Sequence, residues 1–190
     1  MLDPRPDSHA ERDLAHLAEI AAGDLDALGA LYARYGGELF AYIRHLTTNT
    51  GQAEEVLQDT LYAVWTSAER FAAQGTVRGW LFGVARRQAH NARRRRELTL
   101  VRPEHLDDEA CRGPSVEDLV IAGAERDALL AAVDALGPMQ REILVLTFLH
   151  DCSYQELVDA LGVPLGTVKS RLHAAKRQLR AALRGEGIER

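Results

Sequence analysis

Residues 153–179 read SYQELVDALGVPLGTVKSRLHAAKRQL, and this stretch decides the fold. Ser153 with Glu156 three residues on forms a capping box: hydroxyl at the cap, carboxylate reaching back to the first backbone N–H. The helix it opens buries Leu157, Val158 and Leu161. Gly162-Val163-Pro164-Leu165-Gly166 then makes a short turn. Thr167 opens a longer helix in which Val168, Leu172, Ala175 and Leu179 recur at steps of four, three and four. Short helix, Gly-containing turn and long basic helix make a helix-turn-helix pattern.

The apolar stripe of the second helix is used up by packing. Lys169, Ser170, Arg171, His173, Lys176, Arg177 and Arg180 are left facing outward. Entering a major groove N-terminus first, such a helix brings Thr167, Lys169, Ser170, Arg171 and His173 toward base edges. Lys176, Arg177 and Arg180 suit phosphates. An ordinary solvated bundle helix would show the same stripe, but not the one-sided positive charge joined to the cap and turn.

Upstream of this stretch the periodicity is helical nearly everywhere, with no alternating strand pattern and no Asn-Gly or Asp-Gly hairpin turn. Leu14, Leu17, Ala18 and Ala21 form a short stripe ending at Gly23. Asp24 caps a helix carrying Leu25, Leu28, Leu31, Tyr32 and Tyr35, which Gly36-Gly37 is expected to break or bend. Leu39, Phe40, Ile43 and Leu46 follow, then a turn over 47–51. Val56, Leu57, Leu61, Val64, Trp65 and Ala68 make a longer amphipathic helix. After a loop at 71–75, Thr76 caps a helix with Val77, Trp80, Leu81, Val84 and Ala85 on its apolar face. That stripe stops near Ala89, and the helix runs into Arg93-Arg94-Arg95-Arg96.

Residues 98–114 change character: they hold Pro103, Gly113 and Pro114, with four acids between Glu104 and Glu109, and read as an acidic linker. Ser115 with Asp118 resembles a further capping box, and Leu119, Leu129, Leu130, Val133 and Leu136 follow it. Gly137 ends that helix; Pro138 starts the next, whose core is Met139, Ile143, Leu144, Leu146 and Phe148. The fold class is therefore all-α: two small helical domains, at 8–97 and 115–184, joined by the flexible acidic linker.

The 190 residues and 46% apolar content suffice for two such cores. The net charge of −5 conceals a division: −5 over 1–30, +5 over 31–103, −7 over 104–134, −3 over 135–164 and +5 over 165–190. Two basic zones flank an acidic middle, which suits two separate contacts with a polyanion. In the first zone, Arg78, Arg86, Arg87, Arg93, Arg94, Arg95 and Arg96 surround Trp80, Phe82, His90 and Asn91. Arginine supplies phosphate affinity without sequence choice. An aromatic ring offers a platform for an unstacked base. Gln88 or Asn91 could read a base edge. Trp80 has a competing role in the apolar core.

No run approaches the roughly 20 apolar residues of a membrane helix. The first seven residues lack the pattern of a signal peptide. Two cysteines, Cys111 and Cys152, make no disulfide framework. A soluble, cytoplasmic protein without membrane insertion is expected. There is no phosphate-binding loop, GxSxG, HExxH or dinucleotide fingerprint. His150-Asp151-Cys152 lacks metal-ligand spacing. No enzyme, no cofactor and no metal is expected. A stand-alone helix-turn-helix regulator remains the alternative, but it would not require the second basic zone with its aromatics.

At this point the chain resembles a family: the bacterial sigma-70 RNA polymerase sigma factors of the small extracytoplasmic-function (ECF) group. The resemblance rests first on Asp26-Ala27-Leu28, Leu31-Tyr32-Ala33-Arg34-Tyr35, Ala53-Glu54-Glu55-Val56-Leu57-Gln58-Asp59-Thr60-Leu61 and Arg78-Gly79-Trp80-Leu81-Phe82-Gly83-Val84-Ala85-Arg86. It continues in Leu136-Gly137-Pro138-Met139-Gln140-Arg141-Glu142, Ser153-Tyr154-Gln155-Glu156-Leu157 and Gly166-Thr167-Val168-Lys169-Ser170-Arg171-Leu172. It implies a polymerase subunit that directs promoter recognition and transcription initiation. Glu54, Glu55, Leu57, Gln58, Asp59 and Leu61 would dock on the clamp of the large polymerase subunit, with a further contact to the flap. Arg78, Trp80, Arg86, Arg87, Gln88, Asn91 and Arg94 would hold the −10 element as a melted strand and capture an extruded base. Thr167, Lys169, Ser170, Arg171, His173, Lys176 and Arg177 would read the −35 element as duplex. The acidic linker would thread a basic polymerase channel. The resemblance also implies an anti-sigma factor as a candidate partner.

Overall fold

The computed structural model describes residues 8–71, 75–99, 133 and 136–185, and among them every regular element is helical. The first half holds α1 (Ser8–Ala21), α2 (Leu25–Leu46), α3 (Thr50–Ser67), a 3-10 turn at Ala68–Arg70 and α4 (Val77–Thr99). The second holds α5 (Pro138–Phe148), α6 (Tyr154–Leu161) and α7 (Leu165–Gly185). The acidic linker, Cys111 and the capping box at Ser115 lie outside the described residues.

The starts of α2 to α6 have local causes. The Asp24 carboxylate accepts the amides of Asp26 and Ala27, at 2.8 and 3.3 Å, satisfying two orphan donors of α2. Asn49 accepts the Gln52 amide at 2.8 Å to open α3. The Thr76 hydroxyl accepts the Gly79 amide at 3.0 Å to open α4. Gln140 accepts the Gly137 amide at 3.1 Å at the head of α5. The capping box of α6 is complete: the Glu156 amide donates to Ser153 Oγ at 3.2 Å, and the Ser153 amide to Glu156 Oε2 at 2.7 Å. Gly162 ends α6 at φ 65°, a left-handed position where a side chain would be strained.

Several sequence expectations are corrected. Gly36-Gly37 does not interrupt α2, which continues to Leu46; Gly36 is a packing residue, since a Cβ there would lie 2.7 Å from the Tyr32 ring. Leu14, Leu25 and Tyr32 are exposed, and Ile20 takes the buried place in α1. Phe148 is exposed rather than core. The apolar stripe of α4 reaches Ala92, one turn beyond Ala89, and the helix runs to Thr99. The long helix of the helix-turn-helix starts at Leu165, because the Pro164 carbonyl accepts the amides of Thr167 and Val168 at 2.8 and 3.0 Å.

Leu31, Leu39, Ile43, Val56, Val64, Leu81 and Ala85 form the core of the first half. Ile143, Leu146, Leu157, Val168, Leu172 and Ala175 form that of the second. Each fully buried aliphatic side chain stabilises by about 1.5–3 kcal/mol. The halves meet where α6 lies across the Gly79/Gly83 face of α4. A Cβ on Gly79 would be 2.8 Å from the Cα of Glu156, and one on Gly83 would be 3.1 Å from the Asp159 carbonyl oxygen. Two glycines one turn apart thus let the backbones approach closer than any other residue allows.

Candidate nucleic-acid interface

α4 presents three faces, and the helical step of 100° per residue determines what each carries. Val77, Leu81, Ala85, Ala89 and Ala92 point into the first core. Gly79, Gly83 and Arg86 point to the second half of the chain. Trp80, Arg87, Asn91 and Arg94 recur at seven, four and three residues and line the remaining stripe, with Gln88 beside them.

On that stripe Trp80 is half-buried, its ring set edge-on to Phe71 with centroids 5.5 Å apart. The other side of the ring opens on a cleft between α3 and α4, lined also by Ser67, Arg70, Arg87 and Gln88. Arg87, Asn91 and Arg94 are exposed, and neither arginine has an ion-pair partner among the described residues. An aromatic platform, an amide and unpaired guanidinium groups around one cleft can hold an unstacked base and its phosphates. The arginine run itself is distributed around the helix: Arg93 pairs with Glu97, Arg95 with Asp59, and Arg96 donates to Thr48.

Arg78 and Arg86 are placed differently. Arg78 donates to Glu38 at 2.8 and 3.1 Å, to Glu156 at 3.1 Å and to the His150 carbonyl, and sits 5.3 Å over the Phe82 ring. Burial alone would lower its pKa, but the Glu38 and Glu156 carboxylates outweigh that and raise it. Arg86 donates to Glu142 at 2.8 Å, and Glu142 also accepts the Tyr42 hydroxyl at 2.6 Å. Burial, with the Glu142 charge next to it, raises the Tyr42 pKa, so the phenol stays a donor. Thr76 donates through its amide and hydroxyl to Asp159, at 2.8 and 3.2 Å. The sequence reading missed Tyr42, Glu142 and Asp159, and gave Glu156 only its capping role. Glu142 and Asp159, acids on otherwise amphipathic helices, give no local sign that their partners lie in the other half.

Phe82 is fully buried, edge-on to Tyr42 at 5.2 Å and beside His150 at 5.3 Å. The pKa values of His45 and His150 are both lowered, chiefly by burial; that of His45, also near His150 and Arg44, lies at about 4. Cys152 is buried at the same seam, its thiol pushed up to about 12 by burial, with Arg78 Nη1 at 3.7 Å. No cluster of three metal-ligating side chains occurs among the described residues.

On α7, Lys169, Ser170, His173 and Arg177 are exposed, and Thr167, Arg171 and Lys176 are half-buried. Lys169 lies 5.7 Å over the Tyr154 ring and Lys176 lies 5.1 Å over Phe148, which orients both ammonium groups at the surface. On α3, Glu54, Glu55 and Gln58 are exposed; Leu57, Asp59 and Leu61 are half-buried. The Asp59 carboxylate is held by Arg95 at 2.8 Å. Tyr62, 71% exposed on the same helix, went unremarked in the sequence, where one tyrosine in an apolar stripe carries no sign of exposure.

Comparison with known proteins adds the lineage. Residues 31–99 match the family "Sigma-70 region 2", and residues 126–179 match "Sigma-70, region 4". The chain is 32% identical over 178 residues to the ECF RNA polymerase sigma factor SigL of Mycobacterium tuberculosis, covering 93% of this chain and 100% of that one. Its fold is like that of CnrH, solved in complex with the cytosolic domain of CnrY: TM-score 0.65, 24% identity, 92% of this chain and 98% of that one. It is also like the sigma factor RpoE of Bartonella quintana, solved with the anti-sigma factor NepR: TM-score 0.63, 23% identity, 82% of this chain and 96% of that one. No helix among the described residues is long and apolar enough to cross a membrane.

Proposed function

The chain belongs to the ECF group of RNA polymerase sigma factors, and from that premise we propose that it grips one promoter at two places, melted at the −10 element and duplex at the −35 element, while riding on core polymerase. Promoter recognition and transcription initiation are the work of this group, and its members are not enzymes. The observation that carries the finer reading is the open stripe of α4. Trp80, Arg87 and Gln88 line one cleft with Arg70, and Asn91 and Arg94 continue the exposed stripe beyond it, so a base leaving the stack meets a ring, an amide and phosphate-binding charge together.

The second contact belongs to α7. Lys169, Ser170, Arg171 and His173 at its N-terminal end approach base edges, with Thr167 at the helix mouth, while Lys176 and Arg177 hold phosphates. The exposed row of Glu54, Glu55 and Gln58, flanked by Leu57, Asp59 and Leu61, is the docking face for the polymerase clamp. Arg78 and Arg86, engaged with carboxylates in this structure, reach the −10 strand only after release. Residues 98–114 act as the tether between domains 8–97 and 115–184. An anti-sigma factor, the partner named for the Bartonella protein, would act by covering these faces.

Run-off transcription with core polymerase on a randomised promoter library tests the reading. Enriched templates should share two elements separated by a fixed spacer. Transcription absent with core polymerase, or undiminished when Arg87, Asn91 and Arg94 are together replaced by Ala, overturns it.

A further inference from the structure

Where α5 meets α2 and α4, a recessed cavity of about 200 Å³ opens at the seam. Its walls are lopsided in charge. His45 comes from α2, His90 and Arg93 from α4, and Arg141 from α5. The acid among the lining residues, Glu142, is already engaged twice, by Arg86 Nε at 2.8 Å and by the Tyr42 hydroxyl at 2.6 Å. Little of its charge is left for the basic groups around it.

Those basic groups are held in place without being satisfied. Arg93 donates through Nε to Glu97 at 2.9 Å, an exposed pair on one helix face that a better-placed anion displaces at little cost. Arg141 donates through Nε to the Val133 carbonyl at 3.3 Å, which steadies a half-buried guanidinium at the wall. His45 is half-buried, and its Nε2 is enclosed with no hydrogen-bond partner among the described residues. Burial, His150 and Arg44 lower its pKa to about 4. The last two are basic groups, so the ring sits in electropositive surroundings. Leu46, Ala89 and Val145 add an apolar wall.

We propose that this seam binds a small phosphate monoester. Guanidinium and imidazole groups converging from three helices suit the phosphoryl oxygens, and the apolar wall suits a short carbon body. Size sets the upper limit. Drug-sized ligands fill about 300–1,000 Å³, so the recess admits a phosphate with a few carbons and excludes a dinucleotide. Its arginines, Arg93 and Arg141, are not those of the −10 stripe. Because the walls come from both halves, the ligand binds only while α5 lies against α2 and α4, and by linkage it favours that arrangement. The site stands on its own geometry; its consequence for promoter binding rests on the proposed function.

Calorimetric titration of the full chain tests it, with inorganic phosphate, phenyl phosphate and phenol as probes at one ionic strength. Phenyl phosphate should bind once per chain and about tenfold tighter than phosphate, the gain from burying about 55 Å² of its ring. Phenol should show no binding. Arg141→Gln, which keeps donors but loses the charge, should weaken phenyl phosphate about tenfold or more. Arg93→Gln should do the same at a side chain 68% exposed, where folding is not at stake. Arg12→Gln, exposed on α1, controls for overall charge and should bind like the wild type. No saturable binding, equal affinity for phosphate and phenyl phosphate, or equal losses in all three variants overturns the site. The single-stranded oligonucleotide (dT)20 is titrated in parallel. If Arg141→Gln weakens it as much as it weakens phenyl phosphate, the recess is part of a nucleic-acid surface and the small-molecule site falls. Run-off transcription is scored separately. Phenyl phosphate should lower the output of the wild type more than that of Arg141→Gln; output unchanged at saturation overturns the linkage. If the titrations succeed but no transcript forms with core polymerase even without ligand, the site stands and the promoter reading fails.

Discussion

Replacing Trp80 by Ala separates two uses of one ring. The indole is half-buried, edge-on to Phe71 at 5.5 Å, and open to the cleft on its other side. A fully buried Trp→Ala costs about 3–5 kcal/mol, and an aromatic pair contributes about 0.5–1.5 kcal/mol beyond area. Partial exposure reduces the total to about 1–3 kcal/mol, which in a chain of this size lowers Tm by about 2–12 °C. Base stacking on an aromatic ring is worth about 1–3 kcal/mol, so affinity for the melted strand should fall about 5- to 150-fold. Trp80→Phe retains the Phe71 contact and most of the platform and should lose less than half as much of each. The assay pairs thermal melting with competitor-resistant open complexes on a promoter selected from the library. A Trp80→Ala protein that melts far more than 12 °C lower, yet forms open complexes normally per folded molecule, would show that the ring is core and the stripe is not a platform.

Three further outcomes are expected. Arg171→Ala should relax −35 preference and cost about 1–3 kcal/mol of discrimination, whereas Arg177→Ala should weaken all duplexes alike and reduce the salt slope by about one; library selection and salt titration distinguish them, and an unchanged −35 preference removes Arg171 from the readout. Phe82→Ala should destabilise by about 3–5 kcal/mol, because the ring is fully buried against Tyr42 and His150; urea unfolding with a loss below about 1 kcal/mol would refute its place at the seam. Stability should also fall as pH drops from about 6.5 to about 4. His45 and His150 have lowered pKa values in the folded chain, so the unfolded chain binds more protons across that window. Their contribution is complete above the ordinary histidine value and lost as pH falls toward about 4 for His45; a Tm that is flat from pH 7 to 5 contradicts this.

What was legible in the sequence was whatever local rules govern. The Ser153/Glu156 capping box, the turn that begins at Gly162 and the Val168/Leu172/Ala175 stripe follow from interactions spanning three or four residues, and the structure places them as read. The errors share one cause. Leu14, Tyr32 and Phe148 look like core by type, but burial depends on which neighbours arrive, and at those positions too few do. Gly36-Gly37 looks like a break by propensity, yet α2 runs through it, with Gly36 buried beside the Tyr32 ring one turn back on the same helix. The candidate site divides along the same line. Trp80, Arg87, Asn91 and Arg94 share a stripe that helical spacing alone predicts. The removal of Arg78 and Arg86 into ion pairs depends on carboxylates 78 and 56 residues away in sequence.

That division bears on how arginine should be read on a DNA-binding helix. A guanidinium half-buried against two carboxylates, as Arg78 is, cannot be released for a phosphate without leaving Glu38 and Glu156 unpaired in partial burial. Removing one member of such a buried set is costly even when the assembled pair contributes little net stability. DNA contact by Arg78 therefore requires the carboxylates to regain water at the same moment, and parting the halves does that for Glu156. Glu38 lies on α2, in the same half as Arg78, and is 44% exposed, so its pairing survives opening. Arg86 differs: its partner Glu142 departs with α5, leaving the guanidinium free beside the open stripe. Of the two, Arg86 is the one that opening can convert from a structural to a DNA-contacting charge. Arg86→Ala should thus loosen the closed chain and weaken strand binding in the open one. Arg78→Ala should mainly lower the Tm of the first half. The reverse pattern, in melting and (dT)20 titration of a Gly79→Ala/Gly83→Ala protein carrying each substitution, would refute the assignment.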